Sequence, residues 1–301
     1  CNYWAELLMF SAATKSAKVA SAANYIEQVF STYLYAGNGT SQTITNNINL
    51  STYGGLVWIK DRTNAINNAL FDTNRGVSNG PLISDATSQS GIYAQTLSAF
   101  NSNGFNVTYP GSGSFVAATN RNNPDNYVSW TFRKQVKFFD VVTYTGNGSN
   151  RTISHNLGST PGCIIVKRTD TTSDWQVYHN GLTSAAYSIQ LNLTNAQASD
   201  TTVWNSTAPT STVFSVGTST DVNANTGTYV AYLFAHNAGG FGLSGTDNVI
   251  SCGSFTTDAS GVSTSNINLG YEPQFVILKR TDAAQFWWTV DVMRQMSVTD
   301  G

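Results

Sequence analysis

Apolar residues along the chain come in short runs of two kinds. "CIIVK" at 163–167 and "FVILK" at 275–279 are unbroken apolar stretches ending in Lys, the pattern of a strand covered on both faces. "WQVYH" at 175–179 and "YSIQLNL" at 187–193 alternate, the pattern of a strand with one buried and one wet face. Turn signals such as Gly37-Asn38-Gly39, Gly146-Asn147-Gly148 and Asn225-Thr226-Gly227 fall between the runs. Short strands at close intervals predict an all-β protein built of two-sheet sandwiches. The N-terminus differs: Ala, Leu, Met and Glu concentrate there, and Ala5 to Val29 carries apolar residues at loose helical spacing. An isolated helix of that length is marginal in water. Residues 1–33 are therefore expected to form a helical anchor docked on a partner, on another subunit or on the first sandwich.

The pattern repeats. "IIVKRTD" at Ile164–Asp170 returns as "VILKRTD" at Val276–Asp282, and "LVWIKDRT" at Leu56–Thr63 is a looser copy. Lys60 to Lys167 is a step of 107 and Lys167 to Lys279 a step of 112. Such a step is too long for one rung of a solenoid, so each copy reads as a domain. A second anchor, "YVSWTF" at Tyr127–Phe132 and "YVAYLF" at Tyr229–Phe234, precedes the next copy and reads as the closing strand of its module. Residues 34–140 and 141–240 are then two modules with cores of their own, and 249–301 the opening half of a third. An unclosed half-module exposes a strand edge and apolar surface. The expectation is that the chain continues past Gly301, the alternative being completion on a neighbour.

Composition narrows the function classes. Charged residues are 11% of the chain and the net charge is -2, against roughly 25% charged in an average soluble protein. No basic patch suits a phosphate backbone, so nucleic acid is not an expected partner. No apolar run approaches the roughly 20 residues of a membrane span, and no membrane insertion is expected. Cys1, Cys163 and Cys252 are odd in number and occupy non-equivalent places in the copies, so no disulfide framework emerges.

The phrases "GGLVWIKDRTNAINNALFDTNRGV", "YVSWTFRKQVKFFDVVTYTGNG", "PGCIIVKRTDTTSDWQVYHNGL" and "YVAYLFAHNAGGFGLSGTDNVISCGSF" carry a family likeness. From about residue 31 onward the chain resembles large virion structural proteins of tailed phages, especially those of marine bacteria and cyanobacteria. Their repeated modules resemble concanavalin A-like lectin/glucanase sandwiches. The resemblance implies tandem jelly-roll β-sandwiches, a virion location, and a tail fibre or other appendage that meets the host surface.

Concanavalin A-like glucanases carry paired carboxylates in a Glu-x-Asp-x-x-Glu strand. This chain has only Glu6, Glu27 and Glu272, none with an acidic neighbour at that spacing. Asp170 with Asp174 remains as an Asp-only pair, or as two solvated loop residues. His155, His179 and His236 come with no Gly-x-Ser-x-Gly elbow, and no His or Cys spacing suggests zinc. The loops "DTTSD" and "GTDN" could hold calcium but lack the EF-hand pattern. No cofactor is expected and no catalytic residue is assigned.

Binding is the stronger expectation. An exposed ring beside amides and carboxylates suits a sugar, whose apolar face stacks while the polar groups read hydroxyls. Trp175, Tyr178, Trp204 and Asp174 are the glycan-binding candidates, although rings on strands are more often core. Lys60, Lys167, Arg168, Asp170, Lys279, Arg280 and Asp282 are candidates for module junctions, with Arg paired to Asp at each; the alternative is a basic residue reaching solvent along the module rim. The expected function is display and assembly in a virion, with other virion proteins, copies of the same chain (a trimer favoured) and host-surface polysaccharide as partners. A capsid-surface decoration protein and a polysaccharide-binding or glucanase-like module are the alternatives.

Overall fold

The computed structural model describes residues 23–109, 111, 118–121, 125–264 and 267–294. The first stretch of chain runs through β1 (Phe30–Ala36), β2 (Gln42–Thr45), α1 (Leu50–Tyr53), β3 (Gly55–Asp61), β4 (Ala69–Asp72), β5 (Leu82–Ile83), β6 (Leu97–Asn101), β7 (Gly104–Val107) and β8 (Asn126–Arg133). The second runs through β9 (Phe139–Thr145), β10 (Arg151–Ser154), β11 (Pro161–Arg168), β12 (Gln176–His179), β13 (Tyr187–Gln190) and β14 (Ala198–Ser199). It ends with α2 (Thr201–Trp204), β15 (Val213–Val216), α3 (Thr220–Asn223) and β16 (Thr228–Ala235), and β17 (Phe275–Lys279) and β18 (Trp287–Asp291) follow. Over the described residues the protein is all-β, with antiparallel sheets and only single-turn helices.

Strand order carries the repeat into three dimensions. The first large sheet is ordered β1-β8-β3-β4-β5 and the second β9-β16-β11-β12-β13, with β14 added at its edge. Each faces a small sheet, β2-β7-β6 in the first unit and β10-β15 in the second. Val57, Ile59 and Phe71 of the first large sheet meet Ile44, Phe105 and Val107 of its small sheet in one core. Ile164, Val166 and Tyr229 meet Ile153, Phe214 and Val216 in the matching core of the second. The Lys-ending strands β3 and β11 thus hold the same central place, each between a hairpin partner and the strand of the Tyr-Val-x-aromatic-x-Phe pattern. Those last strands, β8 and β16, are late in sequence but central in space, because each returns to lie between the first strand and the Lys strand of its unit.

The repeated Tyr-x-Gly-Asn-Gly phrase is a packing device. Tyr35 stacks on Tyr127 with centroids 5.1 Å apart, and Tyr144 on Tyr229 at 5.0 Å. The Tyr35 and Tyr144 hydroxyls donate to Thr119 O and Val222 O, at 2.7 and 2.8 Å. Buried Asn120 and Asn223 accept from the backbone N–H of Asn38 and Asn147, both at 3.0 Å, latching the hairpin. A Cβ on Gly37 would lie 2.0 Å from Arg121 O, and one on Gly146 2.2 Å from Ala224 O. Only glycine tolerates that approach.

Two expectations are corrected here. Each unit keeps the core of its own that was expected, and in addition the opposite faces of the two large sheets, through Trp58, Trp130 and Phe132 on one side and Ile165, Trp175 and Tyr232 on the other, share a further core with Phe275, Ile277 and Trp287 of the third copy. The sheets are therefore covered on both faces, and β12, expected to be half wet, is buried at Gln176, Val177 and Tyr178. Conversely β17, expected to be covered on both faces, leaves Leu278 exposed, because no second layer lies over that side among the described residues. The expected N-terminal helix falls mostly outside the described residues; its described end holds one 3-10 turn, Ile26–Gln28.

Candidate functional site

Of the side chains singled out by sequence, Lys167, Lys279 and Trp175 lie on the seams between units. Lys167 is fully buried, and its Nζ donates to Ser173 O of its own loop at 2.9 Å and to Thr87 O of the first unit at 3.0 Å. Burial pulls its pKa down to about 8, against the opposing pull of Asp221 and Asp174. Lys279 repeats the arrangement, donating to Gln285 O at 2.6 Å and to Thr194 O of the second unit at 2.8 Å. Lys60 donates to Ile66 O within its own unit. A Lys that ends a buried strand reaches the nearest unsatisfied carbonyls, and in the second and third copies one of these belongs to the preceding copy.

The Arg-Asp pairs do not bridge the seams. Arg168 Nε lies 2.9 Å from Asp170 Oδ1 and Nη2 3.0 Å from Oδ2, so the pair closes its own turn and holds the Asp170 carboxyl below its usual range. Arg280 and Asp282 form the same exposed fork. Arg is thus paired to Asp as expected, and the motif meets the preceding unit through the Thr backbone between them: Ser90 N–H donates to Thr169 O at 3.0 Å and Gln197 N–H to Thr281 O at 2.9 Å, so the pair flanks the seam without spanning it.

Other residues do cross. Trp175 Nε1 donates to Ile83 O at 2.8 Å and Ala86 O at 3.2 Å in the first unit, and Trp287 Nε1 to Gln190 O at 2.9 Å in the second. The same position relative to the Lys in the first unit is Asn68. Asp72 ties Arg75, at 2.6 Å, to the hydroxyl of Tyr232 in the second unit, at 2.8 Å, all of them buried or nearly so. Asp291 ties Arg294, at 2.6 Å, to Trp130 Nε1 in the first unit, at 3.0 Å. Trp130 and Tyr232 are the same position of the Tyr-Val-x-aromatic-x-Phe strand. Sequence reasoning missed both Asp-Arg pairs, although Asp72/Arg75 and Asp291/Arg294 stand at the same offsets from Lys60 and Lys279.

The glycan candidates are also corrected. Trp175 and Trp204 are 0% and 1% exposed and Tyr178 is 7% exposed, so none offers a ring face to a sugar. Trp204 packs edge-on against Tyr178 with centroids 6.1 Å apart. Asp174 accepts from Asn192 Nδ2 at 2.7 Å, while Asp170 is held by Arg168, so the two carboxylates serve separate structural bonds. An exposed ring lies elsewhere: Tyr53, 52% exposed, carries the Arg133 guanidinium 4.3 Å above its centroid. It borders an open groove of about 510 Å³ also lined by Thr73, Asn74, Phe100 and Lys134. Tyr53 follows Asn49, whose side chain caps α1, and no sequence pattern marked it.

His179 pairs with Cys163 across β11 and β12, and His236 Nδ1 accepts from the Cys252 N–H at 3.0 Å, the two side chains packing against Gly162. Burial pushes the Cys163 thiol well up and the Cys252 thiol to about 12, and lowers the pKa of His179. Protonated thiols are poor ligands and nucleophiles. Among the described residues no three His, Cys, Asp or Glu side chains converge as a metal would require, and no helix is long and apolar enough to cross a membrane.

Fold and seams together define an all-β repeat protein, consistent with a β-sandwich, whose buried polar residues join copies of one unit. The chain belongs to the family described as a domain of unknown function, DUF7483, whose model matches residues 26–300 and so runs through all three copies. No curated protein and no solved structure matches it.

Proposed function

We propose that this protein is a structural component of a tailed-phage virion, a tail fibre or appendage whose tandem jelly-roll modules, concanavalin A-like in type, serve particle assembly and host contact. One observation carries the reading: Lys, Trp and Asp residues in repeat positions are spent on joining one unit to the next, so that the copies act as a single stiff body. A body of that kind suits display rather than turnover. The sequence likeness to phage virion proteins supports the location, and self-association as a trimer belongs to the same proposal. Contact with a host polysaccharide fits the Tyr53 groove, where an open ring stands beside Thr73, Asn74 and Lys134. The test is immunogold labelling of purified phage particles that encode the chain. Label on the tail or an appendage is the expected result, label over the head would favour a capsid decoration protein, and absence of the chain from purified particles would refute the proposal. For the groove, Tyr53→Ala should abolish retention on the host polysaccharide and leave the melting temperature unchanged.

A further inference from the structure

Among the described residues no strand fills, in the third copy, a place that the other two copies fill, and they show what such a strand looks like. In the first unit β3 pairs with β4 on one edge and β8 on the other; in the second, β11 pairs with β12 and β16. In the third, β17 pairs with β18, and its other edge has no partner among the described residues. One face of β17 is already satisfied: Phe275 lies 5.3 Å from Trp130 and 5.7 Å from Phe30 and Phe132, ring centroid to centroid. The other face is open. Leu278 is 38% exposed where its counterparts Ile59 and Val166 are 1% and 0%, and Trp288 is 59% exposed where Ala69 and Gln176 are 1% and 3%. Phe286, next to Trp287 at the start of β18, adds further exposed apolar surface. An unpaired edge beside apolar surface is a template for another strand.

The seams point to the same vacancy. The Lys and Trp of the second unit dock on the first unit, and those of the third copy dock on the second. Asp72 of the first unit meets the late strand of the second, and Asp291 of the third copy meets the late strand of the first. The Asp clasps run in cyclic order around the shared core, and among the described residues the clasp still unmade would join the second unit, at the position of His179, to a late strand beside β17.

We propose that the free edge of β17 is a docking site for one antiparallel β-strand of the Tyr-Val-x-aromatic-x-Phe type, the type that β8 and β16 supply to the other copies. Such a strand would hydrogen-bond along β17 in the manner of strand addition. Its Val, central aromatic and Phe would enter the shared core, as Val230, Tyr232 and Phe234 do in the second unit. The inference stands on the repeated strand order and does not depend on the virion role.

The probe is a synthetic peptide of residues 226–237, added to the 301-residue chain and followed by fluorescence anisotropy and hydrogen exchange. Saturable one-to-one binding is expected, with at least tenfold slower exchange at Val276–Lys279. A scrambled peptide should not bind. Leu278→Asp, on the open face and outside the existing core, should weaken binding at least tenfold while the melting temperature stays unchanged. Absence of binding, protection that appears at β11 instead of β17, or equal binding to Leu278→Asp would each overturn the proposal, as would closure of the same edge by a second copy of the chain in preference to the peptide.

Discussion

Lys167→Met tests the seam between the first two units. Methionine fills nearly the same volume but cannot donate, so the carbonyls of Thr87 and Ser173 lose the donor now 3.0 and 2.9 Å away in a fully buried site. Each buried acceptor left unpaired costs roughly 1–3 kcal/mol. Part of that is offset because the variant no longer desolvates an ammonium, and the net loss is expected to be about 2–4 kcal/mol. Lys60→Met, which touches no neighbouring unit, should cost about 1 kcal/mol or less. The pH dependence adds a second arm. The folded-state pKa of Lys167 is lowered to about 8, whereas an unfolded Lys titrates near 10.4. Between those values the unfolded chain holds a proton that the folded protein has released, so stability from this group rises with pH. It is complete above the unfolded pKa and lost as pH falls through the folded one. A neutral amine keeps two N–H donors for its two carbonyls, so deprotonation leaves the bonds intact. Urea denaturation of wild type and variant at pH 7.5 and 9.5 should show the gap between them widening by about 2 kcal/mol. Comparison with the variant cancels the thiols and tyrosines that also titrate there. A variant as stable as wild type, or a gap that does not change with pH, would refute the reasoning.

Trp175→Ala should cost about 3–5 kcal/mol in urea denaturation, because the ring is fully buried and its N–H caps two carbonyls of the first unit; a loss below about 1 kcal/mol would place the ring on the surface after all. Asp72→Asn leaves the nearly buried Arg75 without its counter-charge and weakens the link to Tyr232, with an expected loss of about 3–5 kcal/mol read from the thermal midpoint and calorimetric enthalpy. Cys163 and Cys252, with thiols pushed up by burial, should resist alkylation at pH 8 in the native protein and react fully in denaturant, as mass spectrometry would report; rapid native labelling of either would contradict the burial.

Periodicity and composition determined much by themselves. The all-β class follows from turn formers and short apolar runs, and the repeat is written in the spacing of Lys60, Lys167 and Lys279 and in the two Tyr-Val-x-aromatic-x-Phe strands. These signals are local, or compare one stretch of chain with another, so no fold is needed to see them. What surrounds each face was decided only by tertiary structure. Trp175 reads as a candidate exposed ring because the units it lies between are not visible in a linear pattern, and it is buried because two sheets meet over it. Asp72 and Arg75 are singled out by no pattern, and Tyr232, far along the chain, gives them a role as a clasp between units. Lys167 and Lys279 end strands of the same pattern in the same way, yet a second layer covers the first strand on its sandwich face and leaves the other open. A sequence states which faces can be buried; the chain's path through space states what buries them.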